Sequence, residues 1–189
     1  MTRQDVTRRN FAFRLAWLLP GLGATGTLLK PVADPRAVHA AGDEISHTND
    51  AIHQEVVFNA SQSRIYEALT DSKQFDAITK LSAAMQSGMV PAGSPAATIG
   101  REPGGAFSAF GGYVTGRQIE LIPGQRIVQA WRAGSWNPGI YSIAKFELAE
   151  GSSGTKLIFD HKGFPAGEAA HLAEGWHGNY WQPLAKFLS

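Results

Sequence analysis

The chain contains no cysteine. That excludes a disulfide, a thiolate nucleophile and any cysteine-ligated metal. Charge is also sparse, with 17 Lys and Arg against 16 Asp and Glu in 189 residues. Even that near-balance is uneven along the chain. Up to Ala41 the sequence carries Arg3, Arg8, Arg9, Arg14, Lys30 and Arg36 against only Asp5 and Asp34. The remaining residues therefore hold 11 basic and 14 acidic side chains, a net charge of −3, from the totals of 17 and 16. A mildly acidic body has no electrostatic footprint for nucleic acid. Beyond the first forty residues no stretch is long and apolar enough to span a bilayer. No HExxH, G-x-S-x-G or G-K-[ST] motif occurs, so a zinc-protease, a hydrolase elbow and a phosphate loop have no basis in the sequence. His171 and His177, six residues apart and nearly opposite on a helix, do not make a metal pair. No metal and no cofactor is expected.

The basic start has its own pattern. Thr7-Arg8-Arg9-Asn10-Phe11 puts two adjacent arginines before an apolar run, Phe13, Leu15, Ala16, Trp17, Leu18 and Leu19, which is diluted by Gly21, Gly23 and Gly26. Val38-His39-Ala40 then presents small residues suited to signal peptidase. This resembles a twin-arginine signal and predicts an exported, periplasmic protein that meets the twin-arginine translocase through Arg8 and Arg9. The alternatives are a basic tail or an uncleaved anchor. Gly21-Leu22-Gly23-Ala24-Thr25-Gly26 spells G-x-G-x-x-G, but the dinucleotide fingerprint needs a preceding strand and an acidic residue about twenty positions on. Here a proline precedes it inside the export signal. The expected division is a signal over 1–41, a linker over 42–50 and one domain over 51–189.

Within that domain, Ala51–Asn59 alternates with Ile52, Gln54, Val56 and Phe58 on one face and reads as a strand. Ser61 caps a short helix running to Thr70, and a second short helix falls around Gln74–Thr79. Ser82–Pro95 is irregular and reads as a loop beside a pocket mouth. Strands are predicted at Ala97–Arg101, Ala106–Phe110, Tyr113–Ile122, Arg126–Ala133, Ile140–Ala149 and Gly154–Lys162, separated by short Gly, Pro and Asn turns that favour antiparallel neighbours. At the end, Leu172, Trp176, Tyr180 and Leu184 recur every fourth residue, the signature of a helix with a broad aromatic face. Pro183 has no N–H for the carbonyl of Asn179, so a kink or restart is expected there. The sum is an α+β architecture.

The run Gly175-Trp176-His177-Gly178-Asn179-Tyr180-Trp181-Gln182-Pro183-Leu184, with His161-Lys162-Gly163-Phe164-Pro165 upstream, resembles a known family. It is similar to bacterial proteins related to the C-terminal domain of the activator of heat-shock protein 90 ATPase. Those proteins belong to the START-like (SRPBCC) helix-grip superfamily. Gly104-Gly105-Ala106-Phe107-Ser108, the segment from Gly116 to Arg132, and Gly154-Thr155-Lys156-Leu157 carry the resemblance across about Ile52 to Leu188. It implies a curved antiparallel sheet wrapped around a long C-terminal helix, two short helices after the first strand, and a ligand cavity between sheet and helix.

Three functions stay open. The first is binding of a small hydrophobic or aromatic molecule, with Phe107, Trp131, His161, Trp176 and Tyr180 as candidate lining residues. Phe110, Tyr113, Trp136, Tyr141 and Trp181 belong to the same aromatic set and read more readily as core. The second is an enzyme of cyclase or hydrolase type, with His161 as acid or base beside Tyr113 or Tyr180. Strand alternation places His161 with Thr155, Leu157 and Phe159, facing the helix, and leaves Asp160 pointing away. The bland alternative for His161 is a structural histidine bonded to a backbone carbonyl. The third is regulation of the heat-shock protein 90 ATPase, which the resemblance implies but which an exported chain, away from a cytosolic chaperone, would not perform. Arg101, Arg117, Arg126 and Arg132 read as surface or ion-paired residues, with one conceivably holding a ligand carboxylate.

Overall fold

The computed structural model describes residues 50–189, residue 152 excepted. The predicted signal with Arg8 and Arg9, and all of the predicted linker but Asp50, lie outside the described residues.

Three side-chain caps set the helical start of the domain. After strand β1 (Ala51–Phe58), Ser61 accepts the Arg64 N–H and opens α1 (Gln62–Thr70). Asp71 ends α1 and accepts the Gln74 N–H to open α2 (Ser72–Lys80). Ser82 accepts from Met85 and opens a one-turn helix, α3 (Ala83–Gln86), inside the segment read as a loop. Each cap satisfies an N–H that the first turn leaves without a partner.

The chain then runs as β2 (Thr98–Ile99), β3 (Ala106–Ala109), β4 (Val114–Ile122), β5 (Arg126–Ala133), β6 (Ser142–Gly151) and β7 (Gly154–Lys162). All pairings are antiparallel, in the order β1-β7-β6-β5-β4-β3-β2, so the first strand closes onto the last. β2 keeps two of the five residues expected. A bulge between Gln118 and Glu120 shifts the β4–β5 register and bends the sheet. Gly116 marks a second close approach, since a Cβ there would lie 2.0 Å from the Ala130 carbonyl oxygen and 2.5 Å from the Phe107 ring.

Alternation sends Ile127, Trp131, Ala144, Phe146, Leu157, Phe159 and His161 to the concave face, where all are buried. Against that face lies the C-terminal helix, in three parts: α4 (Ala169–Trp176), a π-helical turn (His177–Trp181) and α5 (Gln182–Leu188). The predicted interruption by Pro183 takes this form. A wider turn just before the proline absorbs its missing N–H, and the helix continues. Leu172, Trp176, Tyr180 and Leu184 are all buried, so the helical period survives the insertion.

The convex face carries an ion-pair ladder across five strands. Arg126 bridges Glu120 and Glu147, Lys145 bridges Glu147 and Asp160, Asp160 meets His53, and Glu55 meets Lys156. Side-chain hydrogen bonds from Lys156, Lys145 and His53 hold the Glu55, Glu147 and Asp160 carboxyls, respectively, below the usual carboxylate range, and the lysine charges add to the effect. The ladder keeps the convex face wet and leaves the concave face to build a site.

Candidate ligand cavity

Between sheet and helix lies a cavity of about 640 Å³. Trp131 from β5 and Trp176 and Tyr180 from the C-terminal helix line it, as the aromatic pattern led us to expect. Their rings pack on each other, with centroids 5.5 Å apart for Trp131–Trp176 and 4.2 Å for Trp176–Tyr180. Phe110, Val114 and Ala133 add apolar wall from the sheet side, and Ala84, Met89, Val90 and Pro91 close the other side. The segment predicted to flank a pocket mouth does so.

Two candidates are placed elsewhere. Phe107 lines a separate cavity of about 20 Å³ together with Gln129, Phe146 and Tyr180. Its ring is buried there and fills core. His161 is fully buried and lies against the Trp131 and Trp176 rings, at 5.3 and 5.5 Å between centroids, without lining the cavity. The two tryptophans occupy the space that a shorter residue would have left open to it.

The hydrogen bonds of His161 settle its chemistry. The Trp176 indole N–H donates to Nδ1 at 3.0 Å, and Nε2 lies 2.6 Å from the Ser142 hydroxyl, which itself donates to the Trp131 carbonyl at 2.9 Å. Ser142 has one hydrogen, and Trp131 receives it. Nε2 therefore carries the imidazole proton and donates to Ser142, while the Nδ1 lone pair is occupied. Burial pushes the His161 pKa down to about 3. A protonated ring would also turn an N–H towards the Trp176 N–H. His161 is thus a structural histidine, as the bland alternative held, although its partners are a hydroxyl and an indole instead of a backbone carbonyl. It offers no free lone pair to a substrate proton.

The other proposed participants are similarly engaged. Tyr113 lines the cavity mouth, 47% exposed, with its hydroxyl 3.1 Å from that of Ser135. The buried Tyr180 hydroxyl accepts from the Trp131 indole N–H at 3.4 Å, and burial raises its pKa above that of an ordinary phenol. Arg101 forms a two-oxygen pair with Glu67, Arg126 joins the ladder, Arg117 bonds the Gly104 carbonyl and Arg132 the Trp136 carbonyl. None of the four lines the cavity, so none is placed to hold a ligand carboxylate there. Among the described residues no cluster of three or more His, Asp or Glu could hold a metal.

Sequence reasoning placed Phe110 in the core and missed its part in the cavity wall. Phe110 has φ 52°, followed by Gly111 at 66° and Gly112 at 92°. A left-handed phenylalanine costs about 1–3 kcal/mol. Burial of its ring, 5.5 Å from Tyr180, offsets that cost. A Cβ on Gly111 would come within 2.8 Å of the Ser94 Cβ, so only glycine lets the 110–112 turn close on the 87–95 loop. The Phe-Gly-Gly triplet was the available signal.

Gly175 also lines the cavity, and a Cβ there meets nothing nearer than the Asn179 side-chain nitrogen at 3.9 Å. It lies within α4, where alanine is the better helix former. Gly175→Ala should therefore raise stability by about 0.5–1 kcal/mol, measured by denaturant unfolding. A loss of stability would contradict the open space assigned to this position.

A curved antiparallel sheet gripping a long C-terminal helix, with an apolar cavity between them, is the helix-grip architecture of START-like proteins. Residues 59–189 match the family described as "Activator of Hsp90 ATPase homolog 1-like protein", and the chain belongs to it. Among curated relatives, the human activator of 90 kDa heat shock protein ATPase homolog 1 is 30% identical over 88 residues, 47% of this chain and 26% of the human protein. The mouse homolog 1 is 26% identical over 127 residues, covering 67% of this chain and 33% of its own length. The chain thus spans about a quarter to a third of these relatives. An HSP90 activator from Plasmodium falciparum superposes with TM-score 0.60 at 24% identity, covering 74% of this chain and 94% of the other. The Aha1 dimer from Colwellia psychrerythraea gives 0.57 at 15% identity, covering 74% and 96%. At such identities these structures speak for the fold.

Proposed function

We propose that the protein is a carrier or sensor that binds a small, ring-bearing apolar molecule between its sheet and its C-terminal helix. The observation that carries this reading is the cavity of about 640 Å³ walled by Trp131, Trp176, Tyr180 and Phe110. That volume falls within the range of small-molecule sites, and its mainly apolar wall with a few polar groups suits such a ligand. Mass-spectrometric identification of small molecules that co-purify with the protein tests it. A recurrent apolar compound, displaced when Gly175→Phe fills the cavity, is the expected result. Wild type and Gly175→Phe yielding the same compounds, or none, would oppose it.

Catalysis has less support, because the buried and doubly bonded His161 lacks the free lone pair a general base needs. Regulation of the 90-kDa heat-shock ATPase is a second reading, favoured by the family match. The match spans about a quarter to a third of the curated relatives, so their action on a partner stands here as a proposal only.

The proposal includes export. The Arg8-Arg9 pair, the diluted apolar run and Val38-His39-Ala40 support passage through the twin-arginine route to the periplasm. Replacing both arginines with lysine should hold the precursor in the cytoplasm, and wild-type protein should begin near Ala41. Normal periplasmic levels of the double variant, by fractionation and immunoblot, would contradict this. Recovery of Met1 from the cell envelope would favour an anchor.

A further inference from the structure

Tyr180 belongs to the wall of both the main cavity and the small one behind it. Its hydroxyl oxygen accepts the Trp131 indole N–H, but its own hydrogen has no acceptor among the described residues. The side chain is 7% exposed. A buried hydroxyl donor left unpaired is costly, so a ligand that supplies the acceptor gains from it.

The other buried polar groups along the cavity are already committed. The Trp131 N–H goes to Tyr180 and the Trp176 N–H to His161. The remaining polar residues, among them Ser94, Ser135, Glu168, His171 and Asn179, are exposed or half-buried and form a rim. Among the described residues no lysine or arginine lines the cavity, and the one carboxylate that does is Glu168, with the exposed His171 three positions on. An anionic ligand would be stripped of water among the rings without a fixed counter-charge, which is strongly unfavourable.

We propose that Tyr180 is the polar anchor of the cavity, donating its free hydrogen to a neutral acceptor oxygen on an otherwise apolar ring system. The ligand class is then a neutral aromatic ketone, ester or ether, and carboxylates are disfavoured. Because its pKa is raised by burial, the phenol stays protonated and able to donate at ordinary pH. This inference rests on the cavity being the ligand site. A water in the small cavity beside Gln129 is the competing acceptor, since about 20 Å³ suffices for one.

The test uses the full protein and three probes of one shape: 2-acetylnaphthalene, 2-ethylnaphthalene and 2-naphthoate, titrated calorimetrically into wild type and Tyr180→Phe. The variant keeps the ring and removes the donor. The ketone-to-hydrocarbon affinity ratio should fall about threefold to tenfold in Tyr180→Phe, the worth of one neutral hydrogen bond. Because Tyr180 also lines the wall and accepts the Trp131 N–H, 2-ethylnaphthalene serves as the reference within each protein, and the circular dichroism spectrum of the variant reports that it is folded. In wild type, 2-naphthoate should bind at least about tenfold more weakly than the ketone. A ratio that is the same in both proteins, or naphthoate binding as tightly as the ketone, would overturn the inference and leave the cavity reading intact. If none of the three probes binds wild type, the cavity reading itself falls.

Discussion

Trp176→Ala should destabilise the protein by about 3–5 kcal/mol. The ring is 2% exposed and sits at the centre of the aromatic cluster, 4.3 Å from Phe159, 4.2 Å from Tyr180 and 5.5 Å from Trp131 between centroids. Its removal strips contacts from the strands and the helix together. It also removes the N–H that occupies Nδ1 of His161, so a buried acceptor is left without a donor. Because a domain of this size is stable by only about 5–15 kcal/mol, the variant should unfold far below the wild-type denaturant midpoint. A loss below about 1 kcal/mol by urea unfolding would show that the helix is not seated on the sheet as described.

The second large effect is on acid stability. The pKa of His161 is about 3 in the folded protein against 6.5 for a free imidazole. Between these values the unfolded chain binds a proton that the folded chain refuses, so stability rises with pH across that window. The contribution is therefore complete above about pH 6.5 and is lost progressively as pH falls towards 3. The slope is at most about 1.4 kcal/mol per pH unit, and the whole loss is roughly 5 kcal/mol. The carboxylates with lowered pKa, among them Asp76 and Glu147, add their own loss only below about pH 4.5. Over the interval from pH 6.5 to 5 these carboxylates contribute little, and His161 should account for a loss of about 2 kcal/mol. In His161→Gln that slope should be absent, whatever the absolute stability of the variant. Parallel slopes for the two proteins, from urea unfolding at each pH, would contradict a buried neutral His161.

How much of this was legible depends on what each pattern encodes. Strands β5 and β7 were bounded correctly because alternation and flanking turns agree over Arg126–Ala133 and Gly154–Lys162. β2 shrank to two residues because the Ala97 N–H is taken by the Asp76 carboxylate at one end and Glu102–Gly105 close a turn at the other. α3 was missed because a single turn has no period to detect, although Ser82 was there to cap it.

In the cavity, Trp176 and Tyr180 could be paired from the sequence, since a spacing of four puts both on one helix face. Alternation likewise sent Phe107 and His161 inward. It says nothing of position along the groove, and there the two diverge, Phe107 into the small rear cavity and His161 behind two tryptophans. Phe110 was the hardest to place, because its left-handed backbone, φ 52°, breaks the strand alternation from which its direction would be read.

The central claim is that the space between sheet and helix is a ligand site. It is tested most directly by titrating the protein with the neutral fluorescent probe N-phenyl-1-naphthylamine, beside the cavity-filling variant Gly175→Phe. Saturable fluorescence enhancement in wild type, lost in Gly175→Phe while its thermal midpoint is retained, is the predicted result. Enhancement that does not saturate, or that persists undiminished in a folded Gly175→Phe, would contradict it.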